Sequence, residues 1–158
     1  MRSAPRPLAC LLVILALAAC APKRIPGTDI RDTADTRAVV ATIDEYRQAA
    51  ERRDAKTVLA LVSPKYYDNA GTSDPGDDVD QEQLRKRLVE DYARLNAVRL
   101  DIAVKKIDVD GDRATAYVFY DERYRIQTKS GEVAKQASDT HRMQLVRENG
   151  AWHFLSGL

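Results

Sequence analysis

The sequence predicts an α+β domain, with helices packed on one face of a curved antiparallel sheet. Three observations carry this. Apolar residues recur at helical spacing between 35 and 63 and again between 81 and 96. From Val98 the period changes to two. The turn signals DVDGDR, TKSGE and ENGA then divide the second half into strands. Helices followed by a run of strands argue α+β rather than alternating α/β. The chain has 158 residues, enough for one domain with a core of its own.

The first element is not part of that domain. In MRSAPRPLACLLVILALAAC, Arg2 and Arg6 form a positive start and Leu8 to Leu17 an apolar run. The run is too short to cross about 30 Å of hydrocarbon as a helix. Together they read as an export signal over residues 1–19. Leu17-Ala18-Ala19-Cys20 resembles the bacterial lipobox: an aliphatic residue, two small ones, then cysteine. The resemblance implies cleavage between Ala19 and Cys20, with diacylglycerol on the Cys20 thiol and an N-acyl chain on its new amino group. Two or three acyl chains give a stable anchor where one is marginal. Cys10 leaves with the signal, so the mature chain keeps no thiol for a disulfide, a metal or a nucleophile. Ala21 stands where some bacteria place an inner-membrane retention Asp. This favours the outer membrane, facing the periplasm, in a Gram-negative cell. Residues 20–34 hold two prolines, a glycine and several charges, and read as a flexible tether.

The domain spans 35–158. A first helix is expected near Asp35–Arg53, where Val39, Val40, Ile43, Tyr46 and Ala50 make an apolar stripe. Asp54 caps a short second helix, AKTVLALVS, which Pro64 stops. KYYD begins a short strand. Residues 69–80 are dense in turn formers, and Asp80 caps a third helix over Gln81–Asn96 with the stripe Leu84, Leu88, Tyr92, Leu95. Val98, Leu100, Ile102 and Val104 then alternate with polar residues in a strand with one wet face. Gly111 turns it into ATAYVFYDERYRI, a strand long enough to need a bend. Lys135–Val146 and WHFLSG complete the sheet.

Three stretches resemble the nuclear transport factor 2 superfamily, an α+β cone that includes ketosteroid isomerases and polyketide cyclases. They are YRQAAERRDAKTVLALVSPKYYD, the helix 81–96, and VRENGAWHFLSG. The resemblance implies a strongly bent sheet wrapped around helices and a cone-shaped pocket. It does not choose between enzymes and binding proteins, because one fold hosts many functions. In ketosteroid isomerases a helix-1 tyrosine stabilises an oxyanion and an aspartate twenty-four residues on acts as base. Tyr46 stands at the position of that tyrosine, eight residues before Asp54. Twenty-four residues on is Ala70; Asp68, two residues earlier, is the nearest acid. His141 and His153 are the two histidines, twelve residues apart on adjacent expected strands, so they could be neighbours. His141 shares strand parity with Asp139 and Met143 and is the third candidate for acid–base work.

Other chemistries find no support. Without residues 1–19, which hold two of the 25 basic residues, the chain is close to neutral against its 24 acids. That gives no electrostatic case for nucleic acid. DVDGD places Gly111 fourth rather than sixth, so it reads as a hairpin turn and not a calcium loop. DPGDDVD reads as a loop and helix cap. No Gly-x-Ser-x-Gly or phosphate loop is present. No cofactor or metal is expected.

The sequence thus leads to a lipid-anchored envelope domain that binds a small apolar ligand or an envelope protein. The alternatives are an acid–base enzyme of the cone fold, an isomerase, dehydratase or hydrolase, and a subunit of an envelope complex. A homodimer would form through the sheet face. Replacing Cys20 by Ala should abolish metabolic labelling with a fatty-acid probe; labelling that persists contradicts the anchor.

Overall fold

The computed structural model describes residues 22–158. The signal segment 1–19 and the lipidation site Cys20 lie outside the described residues. Among the described residues, the order is helices and two short strands, then four antiparallel strands.

The end of the stretch read as a tether is ordered. Pro26 and Gly27 occupy the corners of a turn, with Gly27 at φ 77° and Thr28 N donating to Ile25 O at 3.0 Å. The turn lets Arg24 bridge Arg31, and Ile30 is only 3% exposed. Pro-Gly acts here as a hairpin former rather than as linker composition, and one isoleucine is enough to bury. Thr33 already belongs to the domain. It caps α1 (Ala34–Glu51), and with Thr36 it forms a reciprocal capping box.

Helix α1 buries Val39, Ile43 and Ala50, as its stripe predicts. Its two ends are tied to the sheet. At the start, Asp35 pairs with Arg147 at 2.6 Å, and the Arg147 guanidinium lies 4.7 Å from the Trp152 ring centre. At the end, Glu51 Oε1 accepts from Leu100 N at 3.1 Å. The helix stops two residues before the expected Arg53, which adopts φ 56° and ends it with a left-handed turn. Asp54 then caps α2 (Ala55–Ala60), its carboxylate accepting from Thr57 N at 3.0 Å.

Helix α2 ends before Pro64 can act. Residues 61–63 pair with the last strand instead: Ser63 N donates to Phe154 O at 2.9 Å, and Phe154 N to Leu61 O at 2.8 Å. A tertiary partner takes over the backbone groups that a longer helix would have satisfied internally. Strand β1 (Tyr67–Asp68) pairs with β2 (Val79–Asp80), and Asp80 caps α3 (Gln81–Arg94) in a box with Gln83.

Helix α3 runs without a turn into β3 (Leu95–Asp110), so helix and strand share the Leu95 junction. Then follow β4 (Arg113–Thr128), β5 (Gly131–Glu148) and β6 (Ala151–Ser156), in the order β3-β4-β5-β6. The expected bend is present, but in β3. A bulge between Val104 and Lys106 inserts one extra residue opposite β4 and re-aims that strand. One face of the sheet curves over the helices, and Val118, Leu145, Trp152 and Phe154 share one buried core there with Val39 and Ile43 of α1. The closing residues fold back over β5. Gly157, at φ 92°, passes so near the backbone that a Cβ would sit 2.5 Å from Arg142 O, so only glycine fits.

Phe154 is fully buried where β6, α1 and residues 61–63 converge. Phe154→Ala should cost about 3–5 kcal/mol in equilibrium urea unfolding; a loss below about 1 kcal/mol contradicts this packing.

Candidate functional site

The helices do not fill the curve of the sheet. A cavity of about 570 Å³ remains between its concave face, α1 and α3. Sequence periodicity explains its walls. The α3 stripe Leu84, Leu88, Tyr92 continues through Leu95 onto β3, where Val98, Leu100 and Ile102 point the same way. The register sets Val98 opposite Tyr124, Leu100 opposite Glu122 and Ile102 opposite Tyr120. Cross-strand partners share a face, so Tyr120, Glu122 and Tyr124 line the cavity too. Helix α1 adds Tyr46 and Ala50, β5 adds His141 and Met143, and Leu158 closes one end. Arg87, Asp91 and Arg94 stand exposed at the rim, where Arg94 pairs with Asp91 at 2.5 Å.

Two of the three candidate residues, Tyr46 and His141, line this cavity. Tyr46 packs edge-on against Phe154, with ring centres 5.6 Å apart. Burial, and then the neighbouring Tyr92 and Glu122, hold its hydroxyl far above the usual phenol range. His141 lies edge-on to Tyr120, with ring centres 4.3 Å apart. Asp68 is elsewhere. Its Oδ2 accepts from Gly157 N at 2.6 Å and its Oδ1 from Ala70 N at 2.9 Å, so it holds the closing residues in place. Tyr46 and Asp68 are therefore not assembled as a pair on this cavity.

The two histidines are not neighbours. His153 pairs with Val146, while His141 pairs across the other side of β5 with Val118. The Asn149–Gly150 turn fixes that register, and it puts His141 and His153 on opposite faces of the sheet. Asp139 lies opposite Tyr120 on the concave face, beyond the cavity wall. Among the described residues, no three His, Cys, Asp or Glu side chains cluster as a metal centre requires.

Glu122 is the residue that sequence reasoning missed. It is half-buried on β4, and burial raises its carboxyl above the ordinary glutamate value, with no hydrogen bond or cation among the described residues to oppose the shift. Its charge is felt by Tyr46, by Tyr92, which burial pushes up to about 12, and by Tyr120. The signal was parity: Glu122 sits between Tyr120 and Tyr124 on the face opposite Tyr117 and Phe119.

The folded protein holds the Glu122 proton more tightly than the unfolded chain. The stability this group contributes is present below the ordinary value of 4.5 and lost as pH rises through the folded value. Glu122→Gln should therefore raise the melting temperature at pH 7 and change it little at pH 4. An unchanged or lower melting temperature at pH 7 contradicts an unpaired carboxyl.

No protein-family model and no curated protein sequence matches the chain. Solved structures do. A ketosteroid isomerase-like protein from Erwinia carotovora superposes with a TM-score of 0.62 at 16% identity, over 78% of this chain and 93% of its own. A protein provisionally named a dehydratase of the nuclear transport factor 2-like family, from Streptomyces avermitilis, gives 0.62 at 15% identity, over 79% of this chain and 95% of its own. One provisionally named a scytalone dehydratase, from Novosphingobium aromaticivorans, gives 0.67 at 14% identity, over 78% and 80%. At these identities the likeness is one of fold: the described helices and bent sheet form the α+β cone of the nuclear transport factor 2-like proteins.

Proposed function

We propose that this is a lipid-anchored protein of the bacterial envelope whose cone binds a small, largely apolar ligand. The anchor rests on the sequence alone: Leu17-Ala18-Ala19-Cys20 at the end of an export signal. The binding function rests on one observation, the cavity of about 570 Å³. Protein interiors pack to the density of organic crystals, and a recess of this size between helices and sheet departs from that packing. Ligand sites commonly fall between about 300 and 1,000 Å³, with apolar walls and a few polar groups. This cavity has aliphatic walls from α3 and β3 and Met143 from β5, with phenols, His141 and the Glu122 carboxyl set into them and Arg87, Asp91 and Arg94 at the rim.

An envelope protein or a second copy would meet the other face of the sheet. That face carries Tyr117 and Phe119, 36% and 40% exposed, in a field of charges that includes Arg99, Asp101 and Arg123. Two aromatics among charges favour a polar, transient contact over a permanent one. The ligand function is therefore the stronger reading.

The neutral fluorescent dye N-phenyl-1-naphthylamine should bind and brighten in the apolar cavity. Ile102→Trp, which fills part of the cavity, should weaken that binding at least about ten-fold while far-ultraviolet circular dichroism stays unchanged. A folded Ile102→Trp variant that binds the dye as tightly as the parent chain overturns the cavity as its site.

A further inference from the structure

The polar groups of the cavity are unevenly placed. Both arginines and Asp91 are exposed at the rim. Deeper, the charged group is a single carboxyl, Glu122, on the middle of β4 and opposite the buried Leu100. Tyr46, Tyr92 and Tyr120 line the same cavity from α1, α3 and β4 and carry aromatic rings and no positive charge. His141 is on the same wall, against Tyr120.

This arrangement discriminates between ligand charges. An anion would be brought against a carboxylate in a partly desolvated site, and like charges there repel strongly. A neutral apolar ligand would strip the remaining water from Glu122 and supply nothing in return. A protonated amine would supply the missing counter-charge and hydrogen bonds. Its positive charge would also be attracted to the faces of the surrounding phenol rings.

Resting on the ligand-binding function above, we infer that the cavity takes an organic amine: an ammonium group at Glu122 among Tyr46, Tyr92 and Tyr120, carried on an apolar body against Leu88, Ile102 and Met143. The observation behind it is a cavity carboxyl with aromatic neighbours and no cation beside it among the described residues. The volume leaves room for a body of aromatic-ring size or larger.

Three probes with one naphthyl body test this by isothermal titration of the full chain at pH 7: 2-(1-naphthyl)ethylamine, 2-(1-naphthyl)ethanol and 1-naphthylacetate. The amine should bind at least about ten-fold more tightly than the alcohol, and the acetate most weakly. In Glu122→Gln, confirmed folded by circular dichroism, the amine should fall to the level of the alcohol. Equal binding of amine and alcohol by the parent chain overturns the amine inference and leaves the cavity function standing. An amine preference that survives in Glu122→Gln overturns the role of Glu122. Failure of all three probes and of the neutral dye overturns the cavity function and the inference together.

Discussion

The backbone of Phe154 accepts from Ser63 N and donates to Leu61 O, while its side chain lies fully buried beneath Tyr46. Much of the architecture depends on that junction. It ends α2, because residues 61–63 bond to β6 in place of another helical turn. It fixes the α1–α2 unit against the sheet, with Arg147 and Glu51 holding the two ends of α1. It also sets Tyr46 at the base of the cavity. From there the chain turns through Gly157, whose lack of a side chain lets Leu158 lie across β5 and close one end of the cone. Asp68 holds this closing turn in place, which is why its carboxylate faces backbone N–H groups rather than the cavity.

The cavity is where local preferences and global packing part company. The stripes of α1, α3 and β3 would suit a filled core, yet their apolar residues surround an open volume with a half-buried carboxyl in its wall. Both features lower stability. Departures of this kind concentrate at functional sites, and one ligand with an apolar body and a cationic group would offset both. The phenols are protonated at neutral pH, as ordinary phenols are, and burial raises Tyr46 and Tyr92 further, so they act there as rings and hydrogen-bond donors.

Much of the fold was legible in particular residues. Thr33 apart, the capping residues were read correctly: Asp54 and Asp80 each accept from a backbone N–H three residues on. The change of period at Val98 marked the sheet, and Gly111 and Gly150 marked its turns. Boundaries failed where a tertiary partner competed with a local one, as at 61–63, or where a strand followed a helix without a break, as at Leu95. Within residues 20–34, Pro26-Gly27 acts as a turn signal as well as linker composition, which composition alone does not separate. The histidine pairing could have been rejected from sequence: a hairpin centred on Asn149–Gly150 brings 153 to 146, not to 141. Glu122 was hidden for a different reason. Parity separates the two faces of β4 but does not say which one faces the helices, and only their placement against Ala114, Ala116 and Val118 settled it.

The central claim is that the cone presents an unpaired carboxyl to an open cavity. Carbon-13 NMR of the Glu122 carboxyl, followed across a pH titration of the free protein, tests it most directly. The account predicts a midpoint above the ordinary 4.5. A midpoint at or below that value would mean that a cation or hydrogen-bond donor already occupies the site, and would contradict it.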